Sequence, residues 1–433
     1  MNDGQEKNGS WIAIVAMIFL CGMISFVTNL AAPIGNVWKY AMGESNTAGM
    51  MGNMMNFGAY LLAGIPSGML LSKIGYKKTA LVAVATGFLG VAVQFVSGRV
   101  AVDAGGFYVY LAGAFVAGIS MCLLNVVTNP MLNTLGGGGK RGNQLNLVGM
   151  TFNSVTGTLT PLLVGALIGE ITKETKMADV NLVLFIAMGV FAAVFAVLAF
   201  LKIADPEGVS VKEKIGVFEP LKFRHTLFGV IGIFCYVGVE VGIPATMNLW
   251  LSAKDGPLAA AGVEGYVGIA GCIAASYWMM MIVGRTIGSM IGGKVSSRTM
   301  LMVAEGVAVA LVVAGMFTSG INIKFPVVDL AKYNVTMMAV PLSAVFFVLC
   351  GLCTSVGFPC TFNLAVEGLG KYTNAASGLF MTMIVGGGIL PLIQGIIADR
   401  VGFMPAFVVS ALGLAYLASY AAFLSKSTIK QEE

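Results

Sequence analysis

Long apolar runs, broken by short polar or glycine-rich stretches, fill the chain from Trp11 to Leu424. A helix needs about 20 apolar residues to cross the hydrocarbon of a bilayer. By that measure the runs predict spans near 11–37, 47–71, 79–98, 106–130, 144–169 and 180–201. A polar connector at 202–224 follows, and then spans near 226–252, 266–292, 299–319, 337–362, 373–397 and 403–424. The first run is too long for the apolar segment of a cleaved signal peptide and is followed by many others. It is therefore read as the first of twelve spans.

The two halves repeat one another, as internally duplicated transporters do. Gly64, Gly68 and Thr79 recur at the same spacings as Gly284, Gly288 and Thr299. Pro161-Leu-Leu-Val-Gly165 near the end of the fifth span is echoed by Pro391-Leu-Ile-Gln-Gly395 in the eleventh. The expectation is an all-α membrane protein of two pseudo-symmetric six-helix bundles, at residues 1–201 and 225–433, joined by a cytoplasmic linker at 202–224.

Composition sharpens the class. Only 10% of the 433 residues are charged, against roughly 25% in soluble domains. Gly (57) and Met (27) are abundant, and small residues let helix backbones approach in lipid. Most Lys and Arg residues fall in the loops on the side of the N-terminus, including Lys73, Lys77, Lys140, Arg224, Lys294 and Lys371. The positive-inside rule then makes both termini cytoplasmic. The net charge of +5 is a matter of orientation and implies no nucleic-acid partner.

Enzymatic and ATP-driven readings find little support. The one histidine, His225, sits in a polar connector, which excludes most His-based metal sites and Ser-His or Cys-His catalysis. The seven cysteines lie in apolar stretches, and the Cys350/Cys353 pair lacks the second pair or histidines of a metal site. Gly136–Lys140 misses the spacing of a phosphate-binding loop. No metal or other cofactor is implied, and transport would run on a gradient.

Ionisable groups deep in a membrane carry a penalty of at least ~2.5 kcal/mol, so each is a functional hypothesis. Glu240, midway along the seventh span in Tyr236-Val-Gly-Val-Glu240-Val-Gly-Ile-Pro244, is the clearest. Arg285 and Glu305 lie nearer the cytoplasmic ends of their spans and are read, with Lys73, Lys77 and Asn363, as gate or loop groups. The remaining polar residues of the spans are mostly amides. Asn29, Asn125, Asn129, Asn153, Asn248 and Gln394, with Glu240 and Trp278, form the candidate substrate set. Amides donate to and accept from hydroxyls, and an aromatic face covers the apolar side of a sugar ring. Such amides also join helices, so each carries both readings.

Several motifs are family-specific. Gly68-Met-Leu-Leu-Ser72-Lys73-Ile-Gly75-Tyr-Lys77-Lys78 resembles the loop motif of the major facilitator superfamily, with Ser72 where an acid is usual. Asn125-Val-Val-Thr-Asn129-Pro130, Leu145-Asn146-Leu147 with Phe152-Asn153-Ser154, the Glu240 segment, Tyr277-Trp278 with Gly284-Arg285, and Ile384 through Gly395 to Arg400 resemble the fucose and glucose/galactose permease family. The resemblance spans both halves. It implies a major facilitator fold, alternating access to one central site, a small neutral sugar such as fucose, glucose or galactose, and a proton or sodium ion as co-substrate. The seven cysteines, read as reduced packing residues within apolar stretches, give the expectation of a cytoplasmic or inner membrane. The family's coupling carboxylates would fall just after Asn29-Leu30, where no acid stands, and at Asn125. An amide exchanges no proton at physiological pH, so Glu240 becomes the coupling candidate. A carrier of another small polar solute and a sensor that has kept the fold without turnover are the competing expectations.

Overall fold

The computed structural model describes residues 3–42, 46–100, 104–168, 174–201, 216–329 and 334–427. In the N-terminal half the helices are α1 (Asp3–Ala41), α2 (Asn46–Val100), α3 (Ala104–Leu135), α4 (Gly139–Ile168) and α5 (Asn181–Phe200). A 3-10 turn at Glu219–Lys222 precedes α6 (Arg224–Ser252), the short α7 (Pro257–Ala260), α8 (Tyr266–Ile291) and α9 (Ser297–Phe317). Strands β1 (Asn322–Asp329) and β2 (Asn334–Pro341) follow. The chain continues through α10 (Leu342–Thr354), α11 (Gly357–Ala365), α12 (Thr373–Met383), α13 (Gly386–Val401), α14 (Phe403–Ala406) and α15 (Val408–Ser419), and a π turn at Tyr420–Leu424 closes the last helix.

Among the described residues, ten helical stretches are long and apolar enough to cross a membrane. Two further crossings complete the expected twelve. At 55 residues, α2 would be about 80 Å long if straight, far beyond the ~30 Å hydrocarbon layer. It is divided at Gly75, whose φ of 80° and ψ of 175° leave helical space. Glycine populates positive φ without the Cβ penalty. The loop read between the second and third spans is therefore this single reversal, with Tyr76 beside it fully buried. The other crossing is α4, whose Asn143, Gln144, Asn146 and Asn153 lower its hydropathy.

The start of the tenth span is corrected. Residues 337–341 were expected to be helical; they are the end of an antiparallel hairpin in which Asn322 pairs with Pro341 and Asp329 with Asn334. A short apolar run does not distinguish buried helix from strand by periodicity alone. Pairing decides: Val327 and Val340 are buried in the same core cluster as Trp250, Leu258 and Phe347. The tenth and eleventh spans are each broken, at Ser355–Val356 and at Ile384–Val385.

The chain forms two compact units. One comprises Met1–Lys222 with Gly368–Met383, the other Phe223–Glu367 with Ile384–Glu433. Residues 202–215, most of the expected linker, lie outside the described residues.

Within the first unit α12 packs on α2, and the repeat glycines set the approach. A methyl on Gly64 would strike the Thr382 backbone, and one on Gly68 would meet Asn374 O and Gly378 Cα at 2.9 Å each. Tyr76 Oη donates to Asn374 Oδ1 at 3.2 Å. In the second unit Gly238 faces Leu390, Gly242 faces Gln394, and Gly386 lies against the Phe234 carbonyl. Small residues at these crossings supply the packing that holds helices together where lipid offers no hydrophobic drive.

Candidate functional site

In the first unit two of the candidate amides stand together and two are held separately. Asn125 Nδ2 donates to Tyr60 Oη at 2.8 Å, and Asn129 Nδ2 donates to Asn125 O at 2.9 Å and to Asn125 Oδ1 at 3.2 Å. The i, i+4 spacing stacks these two amides on one face of α3. Asn153 Nδ2 on α4 donates to Cys21 O on α1 at 2.7 Å. Asn29, half-buried, donates to Ser25 O within α1 at 2.8 Å. Tyr60 was missed in the sequence, where one phenol among many apolar residues gives no signal.

In the second unit a polar cluster is built where α6, α8 and the α10–α11 break meet. Pro244 lacks an N–H, which leaves the carbonyl of Glu240, four residues earlier, without its helical donor. Tyr236, one turn before Glu240, donates its hydroxyl to Glu240 Oε1 at 2.9 Å. Arg285 Nη2 donates to the same oxygen, also at 2.9 Å, forming an ion pair with side chains 5% and 16% exposed. Arg285 Nε reaches Ser355 O at 3.3 Å. That carbonyl is available because Pro359, four residues on, removes the amide that would have bonded it.

Gly284 makes this reach possible. A methyl there would strike Leu352 O and Ser355 Oγ, so only glycine lets α8 lie against the end of α10 with the guanidinium turned into the break. Gly351 likewise admits the Tyr277 carbonyl, and Tyr277 Oη pairs with Thr354 Oγ1 at 2.8 Å. Glu240 and Arg285, given separate roles from the sequence, thus stand together as one pair. The Pro359 and Gly357 punctuation of the tenth span was the signal that could have placed them there.

The other candidates are spread out. Trp278, 39% exposed, stands edge-on to Tyr277 with ring centroids 5.6 Å apart. Asn248 is half-buried on α6, and its Oδ1 has no hydrogen-bond partner. Gln394 is fully buried and donates to Ser410 Oγ at 2.8 Å, joining α13 to α15. Asn363 donates to Ser297 Oγ at 2.8 Å, joining α11 to the start of α9. Lys77 donates to Ala199 O at the end of α5 at 2.9 Å, while Lys73 is exposed. Glu305 is fully buried mid-way along α9, with neither carboxyl oxygen hydrogen-bonded.

The Major Facilitator Superfamily model matches residues 14–390. The chain belongs to the major facilitator superfamily. It is 30% identical over 424 residues to the glucose/galactose transporter of Brucella abortus (strain 2308), covering 96% of this chain and 94% of that one. It is 23% identical over 413 residues to the L-fucose-proton symporter of Escherichia coli (strain K12), covering 88% and 85%. The crystal structure of the superfamily transporter FucP in the outward conformation superposes with a TM-score of 0.77 at 18% identity, covering 96% of this chain and all of that one. Its fold is the one described above.

Proposed function

We propose that this superfamily member is a carrier that moves a neutral hexose of the glucose or galactose class across the membrane by alternating access. The observation that carries the reading is the 30% identity, over nearly the whole of both chains, to a glucose/galactose transporter. The chemistry of the second unit supports it. Tyr236, Glu240, Pro244 and Asn248 recur every four residues and so lie along one stripe of α6. Glu240 keeps part of its carboxylate exposed and Asn248 Oδ1 is a buried acceptor without a partner, a pair suited to sugar hydroxyls once helices part, and the accessible face of Trp278 suits the apolar side of a sugar ring. With Arg285 neutralised by Glu240, the cluster offers no spare positive charge to an organic anion. In the first unit Asn29 and Asn153 are half-buried; Asn125 and Asn153 each bond to another helix, while Asn129 is held by Asn125 within α3. A proton is the co-substrate that the fucose-symporter relative suggests, the membrane is the inner membrane, and both termini face the cytoplasm.

The test is counterflow in proteoliposomes. Labelled D-glucose or D-galactose should enter vesicles preloaded with the unlabelled sugar and overshoot equilibrium. Absence of counterflow with every neutral hexose, alongside measurable binding, would favour a sensor that has kept the fold.

A further inference from the structure

The least expected group in the second unit is Glu305. Buried carboxyls are almost always hydrogen-bonded, and an unpaired charge at this depth carries a penalty of several kcal/mol. Yet Glu305 is 0% exposed, and neither oxygen meets a donor. It faces the break in the tenth span, between α10 and α11. The position a methyl would take on Gly357, the first residue of α11, is 2.7 Å from Glu305 Oε1 and still closer to the ring of Tyr236. Carboxyl and phenol ring therefore press on the same glycine.

The surroundings favour a proton over a metal cation. The titratable groups around Glu305 are the Tyr277 phenol of α8 and the Cys350 and Cys353 thiols of α10. Tyr236 of α6 stands across Gly357. Farther along the elements packed on α9 are Cys360 of α11, Tyr416 of α15 and Tyr420 of the π turn, whose hydroxyl donates to His225 O, while α14 carries no titratable side chain. Arg298, two turns away on α9 itself, donates to the carbonyls of Ala421 and Ala422. The freed Ser355 carbonyl, the oxygen a sodium ion would want, already accepts from the Arg285 guanidinium. A cation ligated there would sit against a fixed positive charge.

We propose that Glu305 is the proton-binding site of the carrier, loaded in this arrangement and emptied when the α10–α11 break moves Gly357 away from it. This deepens the carrier reading and rests on it. The proton arrives from water on the acidic side, adds to a carboxylate oxygen as O–H, and returns to water on the other side; no other bond forms or breaks. Linkage to the sugar runs through Tyr236, which touches the Gly357 position with its ring and Glu240 with its hydroxyl. A sugar that engages Glu240 shifts Tyr236, and Tyr236 bears on the glycine that covers the proton site. Helix breaks are where such movement is absorbed.

Glu305→Gln mimics the loaded state and fixes it. In proteoliposomes with the outside one pH unit more acidic than the lumen, the wild type should accumulate sugar about tenfold for one proton per sugar, the free-energy equivalent of one pH unit. Glu305→Gln should lose that accumulation yet still show hexose counterflow. Infrared difference spectra of the wild type should show a protonated-carboxyl band, shifted in D2O, that changes on adding galactose and is missing in Glu305→Gln. Accumulation in Glu305→Gln equal to wild type, or a band that survives the substitution, overturns the assignment. If the variant does not fold, the wild-type spectrum decides: no protonated-carboxyl band responsive to galactose rejects the proposal. Absence of wild-type counterflow would reject the carrier reading instead, a result distinct from either outcome at Glu305.

Discussion

Arg285 Nη2 stands 2.9 Å from Glu240 Oε1, while its Nε is 3.3 Å from the carbonyl of Ser355. One guanidinium thus ties α8 both to the seventh span and to the break in the tenth. Removing one partner of a buried pair leaves an uncompensated charge and typically costs about 3–5 kcal/mol.

Arg285→Ala should therefore lower the melting temperature sharply, and Glu240→Gln should do so less because the amide still accepts from Tyr236 and Arg285. Arg285→Lys should fall between them, since an ammonium lacks the planar fork that serves two acceptors at once. Thermal melting in detergent orders the three variants. Equal loss in Arg285→Lys and Glu240→Gln would argue that the Ser355 contact contributes nothing.

The close approach at Gly284 gives a second test. A methyl there collides with Leu352 O and Ser355 Oγ, backbone and a short side chain that have little room to give. Gly284→Ala should destabilise by about 1–3 kcal/mol, the usual range for overpacking. Gly271→Ala on the same helix meets open space and serves as the control, expected within about 0.5 kcal/mol of wild type.

Gln394 and Trp278 separate helix glue from sugar contact. Gln394 is sealed against Ser410, so Gln394→Ala should cost about 1–3 kcal/mol of stability, as for a buried group left without its partner, with galactose affinity little changed. Trp278→Ala, at an open position, should do the reverse, weakening galactose binding with a small change in melting temperature. Binding titrations beside melting curves make the comparison. A Gln394→Ala variant that folds normally but loses galactose would falsify the division.

Tyr60 and Asn125 supply the fourth. Tyr60→Phe removes the acceptor of Asn125 Nδ2, which still reaches Met121 O at 3.2 Å. The cost should be about 1 kcal/mol, and Asn125→Leu in the Tyr60→Phe background should recover part of it. A double-mutant cycle reads the coupling directly.

Much of this molecule was legible as a string of residues. The twelve apolar runs, the matched glycines at 64, 68, 284 and 288, and the Tyr277-Trp278 and Gly284-Arg285 motifs placed the spans, the duplication and the family. Those features are local: a bilayer demands a fixed length of apolar helix, and close helix packing demands small residues at fixed spacing. The hairpin at 322–341 was hidden because a short apolar run such as 337–341 reads equally as strand or helix until its partner is known.

What the sequence determined by itself was therefore the helix count, the duplication and the family, together with the inventory of buried charges: Glu240, Arg285 and Glu305. Tertiary structure decided their relationships: that Arg285 completes Glu240, that Gln394 and Asn153 fasten helices, and that Glu305 stands without a donor beside Gly357. The physical reason is that lipid fixes each helix along its own length, whereas a buried polar group must find its partner on another helix, at a distance along the chain that no local pattern encodes.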